Sequence, residues 1–263
     1  MVHKIMGKRN VLVAGDLHGV WGPLNHIIEI KRPGIILQCG DFGWWPQFHN
    51  THAIYSGEYE DISDEIIGDP WQRMMAKRVN KPFNQWGLNA RNSKIYFCDG
   101  NHEDHPSLRH ISGNTRNPCE IMNNIYYMRR GNTLTLPDGR NVLFMGGAHS
   151  IDEDAREPGI DWFPQEAITE ADLHNLPDTE IDIVVSHTCP EEIFGKLSKM
   201  AGMVTRDEDP SREALSYVLR RYKPALWYFG HFHVFATGKT RGTRWFCLDM
   251  VGGLNWCIKL KEG

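Results

Sequence analysis

The chain has no long apolar run. No segment reaches the length of a membrane span, and the N-terminal stretch with Lys4, Lys8 and Arg9 contains no apolar core of signal-peptide length before a first strand at Asn10 or Val11. Both absences argue against a membrane protein and make a cytoplasmic one the expectation. Paired cysteines are missing too. The six cysteines (Cys39, Cys98, Cys119, Cys189, Cys247 and Cys257) form no C-x-x-C pair, and several lie in or beside apolar strand-like runs. They read as small buried hydrophobes in a reducing compartment. Nor is there a basic excess: 29 Lys and Arg face 33 Asp and Glu, a formal net charge of -4. Extended binding to duplex nucleic acid needs clustered cations to displace counterions, so it is not expected, although a local basic patch stays open. Repeats and low-complexity tracts are absent.

What is present is an ordinary globular composition, 41% hydrophobic and 24% charged, on 263 residues. That length holds one large α/β domain or two small ones, and we read a single domain over 1–263 with an insertion. The first half reads as strand, loop, helix: a strand at Val11 to Ala14, a helix at Val20 to Ile30, and a strand at Ile35 to Cys39. Sixty positions then separate Asp41 from Asn101, more than the roughly 30 residues of a simple strand-helix-strand return. The excess marks an insertion at about 42–93, rich in Trp44, Trp45, Trp71 and Trp86, with a helical pattern from Pro70 to Gly87. Because it leaves directly after Asp41, it is expected to act as a lid. Beyond Asn101 the patterns predict a helix near Glu103 to His110 and strands at Ile125 to Met128, Thr133 to Leu136 and Val142 to Met145. A turn is expected at Leu136 to Gly139 and a helix from Ser211 to Tyr222, capped by Ser211. Strands at Val234 to Thr237, Arg244 to Leu248 and Trp256 to Lys259 are expected to close the chain as a meander.

Five short segments carry the candidate chemistry: Asp16-Leu17-His18, Gly40-Asp41, Gly100-Asn101-His102-Glu103, Ser186-His187 and Gly230-His231-Phe232-His233. Taken singly, each is common. Together they each follow an apolar β-like run, so the ligand-type residues fall on loops at the C-terminal ends of successive strands, where α/β sheets collect their chemistry.

In this order, with no ligand position missing, the segments match the pattern D-x-H, G-D, G-N-H-[DE], H and G-H-x-H. On those residues the chain resembles the calcineurin-like metallophosphoesterase superfamily from 16 to 233. The resemblance implies a four-layer α-β-β-α sandwich and a site for two divalent metals. Asp16, His18 and His233 would hold the first, Asn101, His187 and His231 the second, and Asp41 would bridge them. His102 would stand beside the site without binding metal. Relatives that dephosphorylate proteins carry G-D-x-x-D-R-G at the second block. Here it reads Gly40-Asp41-Phe42-Gly43-Trp44-Trp45-Pro46, so their Asp-Arg pair is missing.

These residue types suit phosphate ester hydrolysis. Two metals roughly 3.5 to 4 Å apart lower the pKa of a shared water and neutralise the phosphoryl oxygens. Nitrogen and oxygen ligation suits manganese, with iron, zinc, cobalt or nickel as alternatives, better than calcium or magnesium. His231 and His233, two apart, would point to opposite faces of a regular strand, so Gly230 is expected to bend the backbone. His102 is a candidate catalytic group, either as hydrogen-bond donor to a phosphoryl oxygen or as acid to the leaving group. Asn101, His149, Arg156 and Trp44 are candidate substrate contacts. For Arg156 the bland alternative is a solvent-exposed side chain, and for Trp44 it is core packing. The function expected is in-line attack of an activated water on a phosphodiester of a nucleotide-like or small organic phosphate. The alternatives are a nuclease on single-stranded nucleic acid, a phosphomonoesterase, or a non-catalytic interaction module like the scaffold members of the superfamily. No membrane partner is expected, and no residue pattern fixes an oligomeric state.

Overall fold

The computed structural model describes residues 3–4, 10–45, 88–203 and 209–263. The lid expectation, with Trp71, Trp86 and the helix from Pro70 to Gly87, lies outside them. The strands are β1 His3–Lys4, β2 Val11–Ala14, β3 Ile35–Gln38, β4 Lys94–Phe97, β5 Cys119–Met122, β6 Ile125–Tyr127 and β7 Thr133–Thr135. They continue with β8 Asn141–Met145, β9 Ile183–Ser186, β10 Leu226–Phe229, β11 Ala236–Thr240, β12 Thr243–Cys247 and β13 Cys257–Lys259. The helices are α1 Gly22–Lys31, α2 His105–Ser112, α3 Glu170–Leu173, α4 Glu191–Ala201 and α5 Pro210–Tyr222.

Side-chain alternation builds the layers. Successive strand residues face opposite sides of a sheet, and here both sides are apolar. Val11, Val13, Ile35, Leu37 and Tyr96 meet Phe144, Ile183, Val185, Leu226 and Tyr228 in one core between two sheets. The intervening Leu12, Ala14, Ile36, Ile95 and Phe97 pack outward against Leu24 and Ile28 of α1 and Leu108 of α2. On the far side, Val184, Trp227 and Phe229 pack against Ile193, Phe194 and Leu197 of α4 and Leu215, Val218 and Leu219 of α5. The result is the α-β-β-α sandwich.

One sheet has the order β1-β7-β8-β9-β10-β12-β11 and the other β13-β2-β3-β4-β6-β5. Within them β2, β3 and β4 are parallel neighbours, as are β9 and β10. Parallel neighbours present their C-terminal loops at the same edge, so the five candidate segments emerge together.

Three expectations change. The closing strands are not a meander: β11 and β12 form an antiparallel hairpin, but β13 crosses to the other sheet and pairs antiparallel with β2. Helix α5 is capped not by Ser211 but by Asp209, whose carboxylate accepts from the Ser211 N–H. Helix α2 starts two residues late, at His105 with Asp104 as its cap, because Glu103 is turned inward. Helix α4, which has Gly195 inside it, has no counterpart among the sequence expectations. All six cysteines are free, four of them buried.

Candidate metal centre

Four donor residues reach the site in left-handed backbone: His18 at φ 47°, Asp41 at 48°, His231 at 67° and His233 at 49°. Such conformations cost non-glycine residues on the order of 1–3 kcal/mol each and gather at functional sites. The bend expected of Gly230 is therefore made by the two histidines themselves. Gly230 serves a different end: a Cβ there would lie 1.9 Å from Asp16 Oδ1. Gly100 is equally constrained, since its Cβ would fall 2.0 Å from Asp41 Oδ1. These glycines let one segment's backbone pass directly against another segment's carboxylate.

The donors fall into two groups that share one residue. In the first, His18 Nε2 lies 3.1 Å from His233 Nε2, and His233 Nε2 lies 3.2 Å from Asp16 Oδ2. In the second, Asn101 Oδ1 is 2.8 Å from His187 Nε2 and 3.1 Å from His231 Nδ1. Asp41 stands between them, its Oδ2 3.6 Å from His18 Nε2 and 3.3 Å from His187 Nε2.

Neighbouring hydrogen bonds aim these atoms. His187 Nδ1 faces the Cys39 carbonyl at 2.9 Å, and a carbonyl only accepts, so Nδ1 carries a proton and Nε2 is the nitrogen turned toward Asn101 and Asp41. Asn101 donates its Nδ2 to Ser150 Oγ at 3.0 Å, which turns its oxygen inward. The His231 N–H donates to both Asp16 oxygens, at 3.1 and 2.8 Å, and the His102 N–H donates to Asp41 Oδ1 at 2.8 Å.

Protons alone serve this arrangement badly. Burial opposes charge on His187, yet Asp41 and Asp16 outweigh it and push its pKa up to about 10. Burial would raise Asp41, but the rings of His187, His102 and His18 hold its carboxyl well below the usual range. Burial and the charge on His187 drive His231 down. Converging carboxylate and imidazole donors are what a cation satisfies, and Asp16, His18, Asp41 and His233 offer ligand atoms all within 4.8 Å of one another. The donor set fits divalent metals. Asp16, His18 and His233 could hold one, Asn101, His187 and His231 a second, with Asp41 shared.

A family model described as calcineurin-like phosphoesterase matches residues 9–235. The chain belongs to this family. None of the curated protein sequences matches it significantly. Among solved structures, TT1561 of Thermus thermophilus is 12% identical, with 93% of this chain and 90% of that one covered, at a TM-score of 0.45. Phosphopantetheinyl hydrolase from Mycobacterium tuberculosis is also 12% identical, with 95% of each chain covered and a TM-score of 0.44. GAP50, the anchor in the inner membrane complex of Plasmodium, is 9% identical, with 91% and 71% covered and a TM-score of 0.40. At these values the neighbours carry no argument about substrate. The calcineurin-like phosphoesterases depend on two metals, and in this member Asp and His residues are gathered where metals could bind.

The remaining candidates are sorted by burial. Trp44 is packed with Phe42, Leu88 and Leu108, and its indole N–H donates to Ser107 Oγ at 3.2 Å. Arg156 is not solvent-exposed: its side chain is wholly buried and its guanidinium faces Ser150, Asn101 and His102. His149 does reach the site. With Asp41, Asn101, His102, His231 and His233 it lines a cavity of about 400 Å³. The far wall of that cavity consists of Ile151, Phe194, Met203 and Phe232, with Asp152, Asp209 and Arg212. Phe194 and Phe232 stack at 5.5 Å.

Glu103 has a role that the motif alone does not reveal. Its buried carboxylate accepts from the N–H groups of Phe42 and Trp44, both at 2.6 Å, and of Gly43 at 3.4 Å. It thereby clamps the loop that follows Asp41. Burial and the charge of Asp41 push its pKa up to about 8 against those hydrogen bonds. No local sequence signal announces this clamp, since the meeting of Glu103 with three consecutive loop N–H groups is a tertiary fact. Among the described residues, no helix is long and apolar enough to cross a membrane.

Proposed function

We propose that this protein is a dimetal-dependent phosphodiesterase acting on a nucleotide-like or other small organic phosphate. The observation that carries the proposal is Asp41, whose single carboxylate stands within 3.6 Å of donors from both groups. When bound, two metals supply a water of lowered pKa and offset charge on the phosphoryl oxygens. Manganese suits this nitrogen and oxygen set, with iron, zinc, cobalt or nickel as alternatives. The protein's own part is positional. Asp41 and Asn101 keep their oxygens on the metal side, and His102, on the cavity wall, donates toward the phosphate.

The cavity favours a diester over a monoester. Besides the histidines, its charged lining residues in the described chain are Asp41, Asp152, Asp209 and Arg212, and Arg212 already pairs with Glu191 at 2.8 Å. Among the described residues, a monoester dianion finds little beyond the metals to hold its second charge. A diester carries one charge and a second organic group, which the wall of Phe194, Phe232, Ile151 and Met203 can cover. Among the described residues, the lining shows no run of basic residues of the kind a long nucleic-acid groove needs. The test is turnover of bis-p-nitrophenyl phosphate against p-nitrophenyl phosphate on manganese-loaded protein. Faster diester cleavage supports the proposal, and monoester preference replaces it with a phosphatase.

A further inference from the structure

Arg156 offers donors only, because a guanidinium has five N–H groups and no acceptor. Its Nη2 nevertheless lies 3.3 Å from His102 Nδ1. That contact has one sense: Nδ1 must accept, so the ring's proton sits on Nε2. Proteins that hold a histidine beside a carboxylate do the reverse and place the proton on Nδ1.

The guanidinium is not free to swing away. Nη1 donates to Ser150 Oγ at 2.7 Å and lies 3.6 Å from the buried Glu166 carboxylate. Both terminal nitrogens face the Asn101 carbonyl, at 3.5 and 3.4 Å. Ser150 Oγ in turn donates to Glu166 Oε2 at 2.7 Å and accepts from Asn101 Nδ2 at 3.0 Å, while the Ser150 N–H donates to Glu166 Oε1 at 2.6 Å. With one donor and two acceptor positions used, the hydroxyl has no other arrangement. Glu166, joined at Arg156 Nη1 by Asp152 Oδ1 at 3.8 Å, thus anchors the groups that orient two consecutive site residues: Ser150 sets the amide of Asn101, and Arg156 sets the ring of His102.

We propose that Arg156 is a positioning residue that fixes His102 as its Nε2–H tautomer, aimed at the substrate, and provides the fixed positive charge behind that ring. This rests on the phosphoesterase reading of the same site. It makes His102 a hydrogen-bond donor whose charge is lent by a neighbour, in a chain that lacks the Asp-Arg pair of the related phosphatases.

The test is a double-mutant cycle with an independent readout. Arg156→Ala should lower kcat on bis-p-nitrophenyl phosphate about 10- to 100-fold, leave KM within about twofold, and leave metal stoichiometry unchanged. In a His102→Ala background the same change should cost less than about twofold, since a residue acting through His102 has nothing left to act on. Arg156→Lys keeps a cation beside Glu166 but cannot span three acceptors, and it runs the same cycle should the alanine variant not fold. The second readout needs no turnover: nitrogen-15 spectra of histidine-labelled, zinc-loaded protein should show a bare Nδ1 and a protonated Nε2 on His102. That pattern should be lost in the Arg156 variants. An Nδ1-protonated ring in the parent protein, or a loss that persists undiminished in the His102→Ala background, overturns the proposal. Failure of the parent protein to hydrolyse any ester would defeat the phosphoesterase reading alone, because the spectra still decide the tautomer.

Discussion

Gly230→Ala should strip one metal site without replacing any ligand. The added Cβ would sit 1.9 Å from Asp16 Oδ1, where ordinary contact begins at 3.4 Å. Either the carboxylate or the Gly230 backbone must therefore shift by roughly 1.5 Å, against a tolerance of about 0.2 Å in metal-ligand distance. The backbone cannot give way cheaply, because the Gly230 N–H donates to the His187 carbonyl and the next residue's N–H holds Asp16. Outer contacts of a metal site are typically worth 10- to 100-fold in affinity, and displacing a ligand should cost at least about 100-fold. The lost charge-assisted hydrogen bonds to Asp16 are worth about 1.5–3 kcal/mol in stability, a melting shift of several degrees rather than loss of the fold. Elemental analysis of dialysed protein should then show about one metal per chain where the parent holds two, with circular dichroism confirming a folded chain. Gly22→Ala is the control, since nothing lies within 4 Å of its Cβ. Two tightly bound metals and full activity in Gly230→Ala would refute the assignment of Asp16 as a ligand.

Five further outcomes follow from the same geometry. Asp41→Asn should abolish turnover and release metal, while His102→Ala should keep its metal and lose about 100-fold or more in kcat; elemental analysis beside rate measurements separates the two. Glu103→Ala removes the acceptor of Phe42, Gly43 and Trp44, and at about 1–3 kcal/mol per stranded donor it should lower the urea midpoint markedly. Gly195 is exposed inside α4 with nothing within 4 Å of its Cβ, so Gly195→Ala should raise stability by about 0.5–1 kcal/mol, read as a higher melting temperature. Burial, helped by Arg130 and Arg109 and opposed by Asp99, pushes the pKa of His105 down to about 3. An unfolded histidine titrates near 6.5, so between about pH 6.5 and 3 the unfolded chain binds a proton that the folded chain refuses. Stability is present above that window and is lost as pH falls, by up to about 1.4 kcal/mol per pH unit. In chelator-treated protein, His105→Gln should lose less stability between pH 7 and 5 than the parent does; an equal loss would contradict the assignment.

The parts of this molecule legible in its sequence are those written in local pattern. Apolar runs such as Ile183 to Val185 and Leu226 to Phe229 mark buried strands, and a ligand-type residue directly after each run marks the edge where the loops converge. The partition of Val11 and Val13 from Leu12 and Ala14 between two cores follows from strand alternation alone. What is illegible depends on non-local pairing. Strand β13 has the same local character as its neighbours, and only its partner, β2 in the other sheet, distinguishes it. Sequence reasoning assigns the turn at His231 and His233 to the adjacent glycine, since a histidine rarely adopts positive φ without a site to hold it there. Arg156 reads as a surface residue in a charged stretch, and its burial exists only because Ser150, Glu166 and Asn101 enclose it. Helix α4 is obscured by Gly195, yet it supplies Phe194 to the cavity wall.

The most direct test of the central claim is a metal titration of chelator-stripped protein followed by hydrolysis of bis-p-nitrophenyl phosphate at each step. Turnover should stay near background through the first equivalent of Mn²⁺, rise with the second, and be absent from Asp41→Asn at any metal concentration. Full turnover in stripped protein, or no hydrolysis with two metals bound, would contradict it.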